Sequence, residues 1–157
     1  ADRGLADKWY AYEESIRVPL IVRDPRGPHG VTRDQTVLNI DLAPTVLASA
    51  SVPAPAGMQG MNLAPLYLGT ARASAPAWRD EFFYEHPTVT SRDRIPASEA
   101  VVRRDLKYVV YPEWQYEQLF DLRADPAELS NLAGTASTAD RLRAMRAALA
   151  GWRARVR

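Results

Sequence analysis

The chain has 157 residues, with hydrophobic residues at 46% and 20 basic against 19 acidic side chains for a net charge of +1. That is enough chain to bury one sizeable core, and a charge balance this even provides no long-range field for nucleic acid or anionic lipid. The absence of cysteine excludes disulfides, thiolate metal sites and cysteine nucleophiles within the chain, and no apolar run approaches the ~18 residues that would span a bilayer.

The chain opens on Ala1 rather than Met, without a signal-peptide pattern, and its true N-terminus is expected elsewhere. Residues 1–15 are polar and aromatic with no strong period. Val18–Val22 is a continuous apolar run ahead of the turn-rich Asp24–Pro28, which predicts a buried strand of the kind found in parallel sheets covered on both faces. A lone strand cannot form such a sheet, so its partners are expected to come from elsewhere. Asp41 is placed to cap a helix running to Ala48, with Pro44 tolerated in the first turn. Leu63–Leu68 predicts one short helical turn closed by Gly69.

The second half changes character. Glu81–Glu85, Ala100–Arg103, Lys107–Tyr111 and Glu117–Leu122 are strand candidates rich in β-branched and aromatic residues. Arg104–Leu106 is of hairpin length between the central two. Thr138–Val156 is the clearest helix, with Ser137 or Thr138 as its cap and Leu142, Met145, Leu149, Trp152 and Val156 on one stripe. The expected arrangement is a four-stranded antiparallel sheet packed by a terminal α-helix.

Three stretches together resemble the sulfatase family. Gly4, Leu5, Lys8, Tyr12, Glu13, Glu14, Ser15, Arg17, Pro19, Leu20 and Ile21 follow the pattern G-L-x-x-K-x-x-x-Y-E-E-S-x-R-x-P-L-I. Asn39-Ile40-Asp41 with Pro44-Thr45 and Leu47, then Gln59-Gly60, is similar to N-I-D-x-x-P-T-x-L and its downstream Q-G-x-S-L. Leu119-Phe120-Asp121-Leu122 with Asp125-Pro126, Glu128 and Asn131-Leu132 resembles L-Y-D-L-x-x-D-P-x-E-x-x-N-L. All three occur in the family's order.

The resemblance implies an α/β, alkaline-phosphatase/sulfatase-like fold in the complete enzyme. Residues 1–70 would form the end of its catalytic domain and a connector, and residues 71–157 the C-terminal subdomain. It also implies hydrolysis of sulfate esters, including those of sulfated glycans, by a formylglycine hydrate with Ca2+ clamping the sulfate. The chain has no C/S-x-P-x-R motif, and Asp2 and Asp7 do not match the metal-ligand positions. The isolated chain is therefore expected to be inactive, to contribute no metal ligand and to need a missing N-terminal catalytic part.

Lys8 matches the family lysine that reaches a sulfate oxygen, a role suited to a compact ammonium. Arg3 stands where many relatives carry His. His86, ending a strand, is a candidate for the substrate pocket, although an imidazole bonded to the backbone is the blander account. Glu13, Glu14 and Arg17 read as an ion-pair cluster orienting the Lys8 loop. Tyr111, Trp114 and Tyr116 could stack on sugar but more often such clusters are packing, and the arginines of the last helix read as a solvated face. Two alternatives stay open: a phosphonate monoester hydrolase or phosphodiesterase on the same scaffold, and a non-catalytic sulfatase-like module. The compartment, bacterial cytoplasm or periplasm, is not fixed by the sequence.

Overall fold

Four strands order the second half of the chain: β1 (Glu81–His86), β2 (Ser98–Arg103), β3 (Leu106–Tyr111) and β4 (Tyr116–Asp121). The structure, a computed structural model, describes residues 8–69 and 77–156. They divide into two units, one made of the segment ending at Pro19 together with Glu81 onward, the other of Leu20–Asp80.

In the first unit the strands form one antiparallel sheet in the order β1-β2-β3-β4. Arg104-Asp105 turns β2 into β3, setting Val101 opposite Tyr108 and Val102 opposite Lys107. Pro112–Trp114 and Gln115, at φ 49°, turn β3 into β4. Side chains alternate across the pleat, so each strand feeds two faces.

One face carries Val101, Tyr108 and Leu119, which pack with Leu142, Met145 and Leu149 of α1, defined here as the long helix Ala139–Val156. Trp152 stacks on Phe83 at 6.2 Å between ring centroids. Each of these buried aliphatic side chains contributes about 1.5–3 kcal/mol. Thr138 does not cap the helix with its hydroxyl, which donates instead to the Leu132 and Thr135 carbonyls at 2.7 and 2.9 Å. The arginines are not simply a solvated face: Arg141 pairs with Asp121, Arg146 with Glu117 and Arg153 with Glu99. They tie the helix to acids that the strands present on the same side.

The opposite face carries Ala100, Val102, Val109 and Tyr111, and it is covered too. Ala11, 1% exposed, sits against it with Tyr10 and Ile16 at its flanks. The cover includes a single helical turn, Glu13–Ile16. Sequence reasoning placed a helix on one face and did not foresee this second layer, which a short aperiodic segment supplies.

The second unit contains no strand among its described residues. Val18–Val22 forms none, and Ile21 is 91% exposed. A buried strand needs a hydrogen-bonding neighbour, and the described residues offer this run none. The unit consists of a 3-10 turn (Asn39–Asp41), a helix at Leu42–Ser49 and a short helix at Ala64–Leu68 that ends on Gly69 at φ 68°. Asp41 does not cap through its side chain. Its carboxylate is wholly buried and accepts the Leu38 and Met61 amides at 2.7 and 2.8 Å, together with the Arg79 guanidinium.

Candidate functional site

The segment from Lys8 to Ile16 lies on the sheet face away from the long helix. Its register there follows from alternating contacts. Tyr10 packs on Tyr111 at 6.2 Å, and its hydroxyl donates to the Arg94 carbonyl at 2.9 Å. Tyr12 packs on Phe120 at 6.2 Å. Burial raises the Tyr10 hydroxyl above its usual range, and neighbouring Tyr12 adds to it. Burial also raises Tyr84 and, much further, Tyr111, so these phenols stay protonated at any physiological pH.

Lys8, the residue named from the motif, is exposed. The next residue, Trp9, meets the ring of His86 edge-on with centroids 5.9 Å apart. The contact is made by Trp9, the residue after Lys8, with His86 at the end of β1. Backbone bonding does not account for His86 Nδ1, which is buried and has no hydrogen-bond partner among the described residues. An unpaired buried imidazole nitrogen is uncommon and marks a place where a further polar group can bind. His29 is exposed and lies in the other unit. Arg3, Asp2 and Asp7 lie outside the described residues.

Beneath the segment is a cluster that the sequence did not reveal. The Lys107 side chain is wholly buried, with its ammonium 2.7 Å from Glu13 Oε1 and 2.8 Å from Glu128 Oε1. It also donates to the Ala11 carbonyl at 2.8 Å. Glu128 Oε2 accepts the Glu13 amide at 2.7 Å. The Glu13 part of the expected ion-pair cluster is therefore present, with partners far along the chain. A signal was available: Lys107 falls on the inward face at even spacing with Val109 and Tyr111, where a charge needs partners.

Tyr111, Trp114 and Tyr116 form a stack, with Tyr111 centroids 5.7 Å from Trp114 and 6.1 Å from Tyr116. Tyr111 is buried, whereas Trp114 and Tyr116 are 41% and 44% exposed. Among the described residues no three His, Cys, Asp or Glu side chains gather as a metal site requires, so this set does not fit Ca2+. What it can do chemically is present a cation and an imidazole to an anionic group.

The profile of the C-terminal domain of N-sulphoglucosamine sulphohydrolase matches residues 1–155. The chain belongs to the sulfatase family. This sulfatase chain is 31% identical over 143 residues to an N-acetylglucosamine-6-O-sulfatase of Bacteroides thetaiotaomicron, covering 88% of the chain and 25% of that protein. It superposes with a TM-score of 0.83 and 28% identity on a solved structure described as a complex with its substrate D-glucosamine-2-N,6-O-disulfate, covering 92% of the chain and 30% of that one. A phosphonate monoester hydrolase from Silicibacter pomeroyi gives a TM-score of 0.80 at 24% identity, covering 95% and 31%, a likeness of fold alone. The sulfatase chain thus spans between a quarter and a third of these relatives' length. Its antiparallel sheet and terminal helix are the family's C-terminal architecture, as the motifs implied. No described helix is long and apolar enough to cross a membrane.

Proposed function

We propose that this chain is the C-terminal part of an enzyme that hydrolyses sulfate esters of amino-sugar-containing glycans, and that it supplies Lys8 to the sulfate. The observation that carries the reading is the placement of the lysine motif. Lys8 is exposed, its neighbour Trp9 is fixed against His86, and His86 keeps a buried nitrogen without a partner among the described residues. An ammonium and an imidazole drawn to one substrate would suit a sulfate oxygen and the oxygen of its leaving group. The relatives' names, an N-acetylglucosamine-6-O-sulfatase and a structure with a disulfated glucosamine, support an amino-sugar substrate.

Lys8 contacts the transferring group, and His86 lines the pocket on the leaving-group side. The nucleophile, a formylglycine hydrate, and the ligands of Ca2+ come from the upstream part of the enzyme. Residues 1–70 complete the catalytic domain and connector, and residues 71–157 form the C-terminal subdomain. Residues 9–16 seated on the sheet, and Asp41 paired with Arg79, are contacts between these two stretches. The chain alone is inactive.

The test is hydrolysis by the protein expressed with the in-frame sequence upstream of Ala1. Glucosamine 6-sulfate and 4-nitrophenyl sulfate are compared with the corresponding phosphate and phosphonate esters. Preference for sulfate, lost on Lys8→Ala, is the expected result. Turnover of the phosphonate ester with no sulfate activity would sink the reading.

A further inference from the structure

Two of the sequence motifs, one around Lys8 and one around Glu128, meet at a single ammonium. Glu13 and Glu128 are 115 residues apart in the chain, yet the Glu13 amide donates to Glu128 Oε2 at 2.7 Å. Lys107 lies between them: its ammonium donates to Ala11 O at 2.8 Å and pairs electrostatically with Glu13 Oε1 at 2.7 Å and Glu128 Oε1 at 2.8 Å. We propose that Lys107 and Glu128 are positioning residues, a buried clamp that fixes the backbone at Ala11–Glu13 and thereby sets where Lys8 presents its charge. The proposal rests on the reading of Lys8 as the sulfate contact.

The geometry distinguishes a clamp from a charge pair retained for stability. A buried ion pair is often no better for stability than apolar residues of the same size. Here two of the contacts are made to main-chain atoms, the Ala11 carbonyl and the Glu13 amide, which a simple pair would not need. The backbone is also strained to deliver the acid. Glu128 is a non-glycine residue at φ 52°, a conformation held only where its surroundings over-determine it.

Those surroundings are the third motif itself. The Asp125 amide donates to the Asp121 carbonyl at 2.8 Å, the Glu128 amide to the Asp125 carbonyl at 3.0 Å and the Ser130 amide to Asp125 Oδ2 at 2.8 Å. Asn131 Oδ1 then accepts the Leu119 amide at 3.0 Å, pinning the turn to β4. The acidic turn after the last strand thus acts as a bracket that pushes one carboxylate under Lys107. From the clamped Ala11, only Tyr10 and Trp9 lie between the anchor and Lys8, and both are held, by the Arg94 carbonyl and by His86.

Two measurements test the clamp. In the unaltered chain the Glu13 amide is expected to exchange hydrogen about as slowly as the interior amides of β3, and exchange at the rate of exposed loop amides would overturn the proposal. In Lys107→Met/Glu128→Met, which removes both wholly buried charges together, the amides of Glu13 and Ile16 are expected to exchange on the order of 10- to 100-fold faster, the loss of one hydrogen bond to a charged group. Val101 and Tyr108 should keep their protection. Uniform acceleration of all these amides would mean a purely structural role.

The functional arm is a double-mutant cycle in the complete enzyme. The clamp variant lowers kcat/KM for the sulfate ester by about tenfold or more. Combined with Lys8→Ala it adds nothing further, because it acts through Lys8. Additive losses would overturn the proposal. If the unaltered enzyme hydrolyses no sulfate ester while the exchange results hold, the failure lies in the proposed function and not in the clamp.

Discussion

Arg79 closes on Asp41 through two parallel contacts, Nη1 to Oδ2 at 2.5 Å and Nη2 to Oδ1 at 2.6 Å. The carboxylate is 0% exposed and the guanidinium 13%. Burial alone would raise the Asp41 carboxyl, but the guanidinium and the Met61 and Leu38 amides outweigh it and hold the group below its usual 3.8. A depressed folded pKa means the stabilisation is complete above the unfolded value, near 3.9, and is lost as pH falls through the lower folded value. Asp41→Asn leaves Arg79 without its counter-charge and is expected to cost about 3 kcal/mol at neutral pH. Protection of the amides in Leu42–Ser49 reads this directly. The unaltered chain and the variant should converge as the pH drops below about 4. Equal stability at pH 7 would show that the pair contributes nothing.

Gly60 explains why the second motif carries a glycine where it does. A Cβ there would lie 2.0 Å from the Ile40 carbonyl oxygen and 2.6 Å from its carbon. The close approach lets Met61 deliver its amide to Asp41. Gly60→Ala should therefore destabilise Leu20–Asp80 by roughly 1–3 kcal/mol or more, as overpacking does. Gly57→Ala is the matched control, since nothing lies within 4 Å of its Cβ position. It should be neutral or stabilise by about 0.4–1 kcal/mol through the unfolded state. Chemical denaturation of the two variants side by side decides the matter.

The strands and the long helix were legible because period and residue type agreed, as in Lys107–Tyr111 and in the Leu142, Met145 and Leu149 stripe. The covering of the second sheet face was not, because Trp9–Ile16 has no period and gains its place only from tertiary contacts with Tyr111 and Phe120. Val18–Val22 read as a strand from its apolar run, but pairing is not encoded in one strand and none of the described residues pairs with it. Lys8 and His86 could be named from the family pattern. Glu128 lay in the third motif and Lys107 on an inward-facing position, but their meeting with Glu13 was not legible, since spacing gives no hint that residues about a hundred positions apart share one ammonium.

Exposed apolar side chains set the behaviour of the chain on its own. Leu20, Ile21 and Val22 are 43%, 91% and 44% exposed in succession. A contiguous apolar run at the surface marks an interaction site or an association liability. The chain by itself is expected to self-associate, and Ile21→Asp is expected to reduce the association without altering the sheet. Sedimentation of the two proteins across a concentration series reads this. A strictly monomeric unaltered chain would contradict it.

Lys8 offers the sharpest separation of chemistry from stability. Its side chain is exposed and the fold does not depend on it, so Lys8→Ala should change stability by no more than about 0.5 kcal/mol. If the ammonium meets charge that grows on the sulfate oxygens as the ester bond breaks, its loss falls on kcat. The drop should be about 100- to 1000-fold, the cost of removing one preorganised donor. A rise in KM alone would instead assign Lys8 to ground-state binding. Lys8→Arg keeps the charge but spreads it over a planar fork, so partial recovery is expected rather than full. Full activity in Lys8→Ala would remove the residue from the site, and with it the reason for fixing Trp9 against His86.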